Sequence, residues 1–296
     1  MKRLPQIALL PDGKRLHLQD GPIDLVIEAK GRESDVRAAY DVAARRFTGL
    51  LDELCAELFE LRRAADPIRC SLKGVVARRM HAAVAPFAAA AFITPMAAVA
   101  GSVAEEILGA MLAAVPLDRA YVNNGGDIAL HLAGDERFTV GLMDRPDRLG
   151  VMRTIDIDAD DPVRGIATSG RHGRSFSLGI ADAVTVLART ASQADAAATI
   201  IANAVDLPGH PAVIRCPANE LQPDSDLGTR LVTRDVEIDE ALGAGVSRAQ
   251  QLLAAGLIEG AALRLLGETA VVGATGIKAG ALPAFHGSAP KRMARV

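Results

Sequence analysis

The sequence predicts an α+β protein, and three observations carry that prediction. Short apolar runs of strand character, several of them alternating, recur near the start, in the middle and near the end of the chain, as expected for strands. Longer stretches place apolar residues at three- and four-residue steps, the signature of amphipathic helices. The two kinds of run alternate loosely along all 296 residues.

Taken in order, strands are expected at Ile7–Leu10, Arg15–Leu18 and Asp24–Ala29, divided by Asp12-Gly13 and Gly21-Pro22 turns. A long amphipathic helix follows from about Glu33 to Arg63. Val36, Tyr40, Ala43, Phe47, Leu50, Leu54, Leu58 and Leu61 share its buried face. Asp66-Pro67 closes that unit. Further helices are expected at Val75–Ala90 and Met96–Val115, the second after Thr94-Pro95, because proline suits a helix start.

In the middle of the chain, strands at Ala120–Val122 and Ile128–Leu132 flank Asn123-Asn124-Gly125-Gly126-Asp127. Arg137–Met143 and Thr154–Asp158 read as strands too, the latter at an edge. Ser175 to Ala188 leads, through the strand-like run Asp182–Ala188, into a helix opening at Ser192. After Val205 come a proline-spaced connection, a helix around Ser247–Ala255 and a hairpin-like pair at Ala261–Leu266 and Ala270–Val272. Residues 288–296 read as a flexible basic tail. With no internal repeat or long low-complexity linker, one compact domain over 1–296 is the simpler count.

Composition narrows the function classes. There are 33 basic and 36 acidic residues, no Trp, 2 Tyr and 7 Phe. Neither a polyanion footprint nor a set of base-stacking platforms results, which argues against nucleic-acid binding. Cys55, Cys70 and Cys216 are dispersed and odd in number, which points to a reducing cytoplasm. The N-terminal apolar stretch is too short for a signal peptide, and no lipid-anchor cysteine stands near it. Ala82–Ala104, broken by Pro86, Thr94, Pro95 and Gly101, suits a buried helix pair better than a membrane span.

Three constellations could carry chemistry. In Asn123–Asp127 the adjacent Gly125 and Gly126 allow exposed amides to face a ligand, with Asp127 as an acceptor. A hairpin turn with Asp127 in solvent explains the same residues. In Thr168-Ser169-Gly170-Arg171-His172-Gly173-Arg174-Ser175, small hydroxyls, glycines, Arg171 and Arg174 suit a pyrophosphate; a polar surface loop is the alternative. The third is the i, i+4 pair Asp195 and Thr199. It could present two hard oxygens to Mg²⁺, or Asp195 could close a Ser192-x-x-Asp195 capping box.

The succession Gly125-Gly126-Asp127, Thr168-Ser169-Gly170, a Val-Thr-Val strand, then Ala194-Asp195-Ala196-Ala197-Ala198-Thr199 resembles the ApbE family of flavin transferases. Thr94-Pro95-Met96-Ala97-Ala98-Val99-Ala100-Gly101 and Ser177–Val184 are similar to that family's shorter, largely uncharacterised cytoplasmic sister group. The likeness covers roughly residues 20 to 205. It implies the ApbE-like variant of the T-fold, an antiparallel sheet backed by helices. It also implies Mg²⁺ held by Asp195, Thr199 and a backbone carbonyl near Ala97. Gly125, Gly126, Asp127, Thr168, Ser169 and Gly170 would then line a cleft for FAD or a related nucleotide. The family splits FAD, passes FMN to a threonine hydroxyl of an acceptor protein and releases AMP.

This chain departs from the family at two places. Ala100 stands where the family has a lysine before the glycine, and the flavin-holding His-Ile-Ile-Asp-Pro stretch has no counterpart between Arg171 and Ile180. Two readings therefore remain open: a Mg²⁺-dependent transferase or hydrolase of FAD, and a non-transferring ligand binder or scaffold in a cofactor or sulfur pathway. A third, weaker reading makes Cys70 and Cys216 persulfide carriers. T-fold proteins often associate, so a homo-oligomer packed through Ala82–Ala91 is an option beside an ordinary buried helix.

Overall fold

The computed structural model describes residues 4–145, 148–171, 177–216, 230–233, 237–273 and 277–278. Its strands are β1 (Gln6–Leu9), β2 (Leu16–Asp20), β3 (Ile23–Lys30), β4 (Arg119–Asn124), β5 (Asp127–Leu132), β6 (Arg137–Arg145) and β7 (Arg148–Asp158). They continue as β8 (Gly165–Ser169), β9 (Ala183–Ala188), β10 (Val213–Cys216), β11 (Arg230–Thr233), β12 (Gly260–Leu265), β13 (Glu268–Gly273) and β14 (Ile277–Lys278). The helices are α1 (Glu33–Phe47), α2 (Leu50–Ala56), α3 (Leu58–Leu61), α4 (Val75–Ala88), α5 (Val99–Ala114), α6 (Ala191–Ala204) and α7 (Ile238–Ala254). A 3-10 turn, Pro95–Ala98, leads into α5.

Among the described residues, nine strands make one sheet in the order β1-β2-β3-β4-β5-β8-β9-β12-β13, which is also their order along the chain. Every neighbouring pair runs antiparallel. Alternation sets the faces: in β2 and the first part of β3, every second residue is buried. Leu18, Leu25, Ile27 and Val122 thereby meet Phe47, Ile107, Met111 and Ile201 of the helices in the main core. Each large side chain buried there contributes roughly 1.5–3 kcal/mol.

The opposite face is covered over β5, β8 and β9. There the β6–β7 ribbon lays Ile155 and Ile157 against Leu130, Leu132, Ile166 and Leu187. The expected antiparallel sheet backed by helices is thus present, with a second small sheet, β14-β7-β6, on its outer side.

Several elements differ from expectation. The helix expected from Glu33 to Arg63 is three helices: Gly49 adopts a left-handed conformation (φ 88°) that ends the first run, and Glu57 (φ −113°, ψ 11°) separates the second from the third. The apolar spacing continues across the break, since Leu50, Leu54 and Leu61 are still buried. Thr168 and Ser169 end a strand, β8, that was expected to be loop. The connection after Val205 contains the β10–β11 pair, and the helix expected near Ser247 starts earlier, at Ile238. Residues 288–296 and Arg174 lie outside the described residues. Pro95–Ala114 is long and apolar enough to cross a membrane. Here it buries Gly101, Val103, Ile107, Leu108 and Met111 and packs on α1, α6, β4 and β5. Within Ala82–Ala91, Ala83, Val84 and Phe87 are buried in the core.

Candidate functional site

The site is built where the N-termini of α5 and α6 meet beside the β4–β5 turn. Two glycines allow the approach. A Cβ on Gly101 would lie 2.3 Å from the Ala191 carbonyl oxygen, and one on Gly165 would lie 2.1 Å from that of Thr190. Any side chain at either position would collide with backbone. The first turn of α6 is therefore wedged between the first turn of α5 and the start of β8.

The first N–H groups of a helix have no partner within it, and these two helices supply each other's. Asp195 of α6 accepts the Gly101 N–H through Oδ2 at 3.0 Å. Glu105 of α5 accepts the Ser192 N–H through Oε1 at 2.6 Å. Thr190, the N-cap of α6, adds its own hydroxyl to the Gln193 N–H at 3.3 Å. The Ser192–Asp195 capping box is thereby overturned: the cap lies two residues earlier, and Asp195 turns across to α5.

The β4–β5 hairpin closes with Asn124 opposite Asp127, and Gly125 (φ 66°) and Gly126 (φ 115°) form its turn. Asn123 Oδ1 accepts the Gly126 N–H at 2.8 Å. Asn124 is buried and donates from Nδ2 to the Ala100 carbonyl at 3.2 Å, pinning the hairpin to the start of α5. Asp127 is half-buried and accepts the Thr168 N–H through Oδ1 at 3.1 Å. The first and second sequence constellations thus touch, with Asp127 docked on β8.

Charge is unbalanced at Asp195. Desolvation pushes its carboxyl well above the usual carboxylate range; Asp127 pushes the same way, while the backbone N–H groups of Gly101 and Ala100 pull it down and Glu105 raises it further. Glu105 is itself paired with Arg79 at 3.3 Å.

The second constellation changes character. Thr168 is exposed, with its hydroxyl 2.9 Å from that of Thr185, and Ser169 is half-buried beside it. Gly170 is buried, at φ 153°, with no room for a Cβ against the Asp182 carbonyl. Arg171 is drawn to buried Asp182, with Nη2 at 2.6 Å and Nε at 2.8 Å from Oδ1. This pairing ties it to the fold, where the sequence offered it to a pyrophosphate.

Among the described residues, no group of three or more His, Cys, Asp or Glu side chains is placed to hold a metal ion. A site here would need mixed oxygen donors. Asp195 and Thr199 lie one turn apart on α6, both half-buried, and α6 packs against the Pro95–Ala98 turn that carries Ala97. The donor chemistry fits a hard divalent cation, which would also compensate the negative charge gathered at Asp195.

Sequence reasoning missed Glu105 and Gly165, and Asn124, although part of the first constellation, carries no role there. Glu105 follows Gly101 by four residues and so lies on the same helix face, but only the tertiary crossing puts Ser192 opposite it. Cys55 and Cys70 are exposed and free, whereas the side chain of Cys216 lies outside the described residues.

A family model described as "AbpE bacteria" matches residues 7–271. A UPF0280 protein of Methanopyrus kandleri is 36% identical over 182 residues, covering 61% of this chain and 69% of its own. A UPF0280 protein of Archaeoglobus fulgidus is 38% identical over 140 residues, 47% of this chain and 54% of its own, so the chain spans about half of that relative. The apo crystal structure of the flavinyl transferase ApbE of Pseudomonas stutzeri superposes with a TM-score of 0.52 at 10% identity. The match covers 93% of this chain and 96% of that one.

Proposed function

The chain belongs to the AbpE bacteria family, and from that premise we propose that it binds a flavin nucleotide, FAD or a relative, together with Mg²⁺. The observation that carries this reading is the meeting of two helix N-termini at Asp195, whose surrounding charges are negative. A dinucleotide brings a pyrophosphate, and a helix N-terminus favours phosphate. Here, however, protein carboxylates already hold the Gly101 and Ser192 N–H groups. Direct capture of phosphate by those two amides is closed, and a bound cation is the means proposed for drawing it in.

Asp195, Thr199 and the Ala97 carbonyl would hold the cation. When bound, Mg²⁺ neutralises charge developing on a pyrophosphate during displacement. The rest falls to the chain's own groups. Gly125 and Gly126 leave the hairpin turn without side chains to obstruct a ligand. The Thr168 hydroxyl is exposed at the end of β8, next to Asp127. The reaction proposed is cleavage of FAD to AMP and FMN, with FMN passing to water or to an acceptor protein's hydroxyl.

Arg171 and Ala100 favour the second reading, a binder that does not transfer. Arg171 is committed to Asp182, and Ala100 brings no side-chain cation. Incubating the full chain with FAD and Mg²⁺ separates the two. Release of AMP with FMN, lost in Asp195→Ala, establishes the enzyme. Mg²⁺-dependent retention of intact FAD establishes the binder. No binding and no cleavage would sink both.

A further inference from the structure

We infer that Glu105 is the positioning residue of this site, fixing the first turn of α6 and with it the place of Asp195. The inference rests on the reading of Asp195 as a cation ligand. Glu105 Oε1 accepts the Ser192 N–H at 2.6 Å, and Asp195 comes three residues later, within one turn of the same helix. Glu105 makes the shortest of the bonds that hold that turn. The others include Asp195 itself on the Gly101 N–H at 3.0 Å, the Ala194 N–H on the Thr190 carbonyl at 3.1 Å and the Gln193 N–H on the Thr190 hydroxyl at 3.3 Å.

Glu105 does not drift with α6, because it is anchored from the far side. Arg79 of α4 places Nε 3.3 Å from Glu105 Oε2 and Nη2 2.9 Å from Glu106 Oε2. Its Nη1 donates to the Ser102 carbonyl at 3.1 Å. Arg46 of α1 holds Glu106 Oε1 at 2.8 Å and Glu53 of α2 at 3.0 Å. A chain of alternating charge therefore runs from α2 through α1, α5 and α4, back to Glu105 of α5, and from there to the backbone of α6. Its last link is the Ser192 N–H, next to the wedge at Gly101 and Gly165. The last link uses the reach of Glu105 to Ser192, and the link before it uses the charge of Glu105 on Arg79.

Reach and charge separate in two conservative variants of the full chain. Glu105→Gln keeps an oxygen at the same reach but loses the charge. Glu105→Asp keeps the charge and shortens the reach by one methylene. Mn²⁺ is the probe, its binding followed by electron paramagnetic resonance, with hydrogen exchange of the α6 first-turn amides alongside. Glu105→Asp is expected to weaken Mn²⁺ about 10–100-fold, as loss of an outer partner does at metal sites, and to speed exchange at Ser192–Asp195. Glu105→Gln keeps the acceptor for Ser192 but gives up the ion pair with Arg79, which Glu106 and the Ser102 carbonyl still hold, so it is expected to lose less than Glu105→Asp in both. An equal or larger loss in Glu105→Gln, or no loss in either variant, overturns the inference. If the unmodified protein takes up no Mn²⁺, the cation reading of Asp195 fails. Exchange then decides for Glu105 alone: faster first-turn exchange in Glu105→Asp upholds its hold on α6, and unchanged exchange overturns it.

Discussion

Asp195 holds the backbone N–H of Gly101, 94 positions away in sequence, through Oδ2 at 3.0 Å. That bond joins the start of α6 to the start of α5, and Glu105 returns the favour at Ser192. Two positive helix ends thus converge, each capped by the other helix's carboxylate. The arrangement leaves Asp195 as the hinge of both structure and proposed chemistry, and it makes the following outcomes measurable.

Gly101→Ala is expected to destabilise by about 1–3 kcal/mol, the usual range for overpacking, because its Cβ would meet the Ala191 carbonyl oxygen at 2.3 Å. Gly109→Ala, on the same helix with nothing within 4 Å of an added Cβ, should gain about 0.5–1 kcal/mol from helix propensity. Urea unfolding of both reads the contrast. Equal effects would mean that α5 and α6 do not cross as closely as described.

Asp195→Asn should raise the stability of the metal-free protein at neutral pH. The folded state holds the Asp195 proton more tightly than the unfolded chain does, because desolvation and Asp127 disfavour its charge. The penalty is absent below the ordinary carboxylate pKa and grows as pH rises through the folded value. Unfolding curves in chelator should therefore diverge with rising pH, the asparagine variant above. Added Mg²⁺ should narrow or reverse the gap. An asparagine variant less stable than the parent in chelator would contradict this.

Glu106 titrates in the opposite sense. Desolvation works against its charge, but Arg46 and Arg79 outweigh that and hold its carboxyl below the ordinary 4.5. Its contribution is then fully present above that pH and is lost as pH falls through the folded value. Glu106→Gln should cost about 2 kcal/mol near neutrality, and the difference from the parent should shrink on acidification. A difference that is flat with pH would show that the ion pairs do not form in solution.

In the β4–β5 turn, Gly126 at φ 115° and Gly125 at φ 66° predict different tolerance. Gly126→Ala should cost about 1–3 kcal/mol of backbone strain. Gly125→Asn should cost less than about 1 kcal/mol, since asparagine visits the left-handed region readily. Thermal unfolding of the pair checks the turn that carries Asp127.

Much of this was legible in the sequence because it is local. The β2–β3 hairpin, the Asn-Gly turn before Asp127 and the shared face of Asp195 and Thr199 follow from spacings of two to five residues. The rest depends on contacts between distant segments. Gly49 breaks a helix whose apolar spacing runs on unaltered. Gly165-Ile166-Ala167-Thr168-Ser169 is glycine-led and has only Ile166 and Ala167 as apolar residues, too weak a pattern to announce a strand, yet β5 and β9 pair with it on both sides. Ser192 and Asp195 satisfy the capping-box spacing, but the crossing with α5 claims Asp195 for Gly101. Arg171 was offered to a phosphate because Asp182, its partner, lies eleven positions away.

The central claim, a flavin nucleotide drawn in by a cation at Asp195, is tested most directly by calorimetric titration of FAD into the full chain, with Mg²⁺ and with chelator. Saturable binding that requires Mg²⁺ and disappears in Asp195→Ala, with the variant's fold intact by circular dichroism, is the predicted result. Binding of FAD that is equally tight in chelator and in Asp195→Ala, or no binding under any condition, would contradict it.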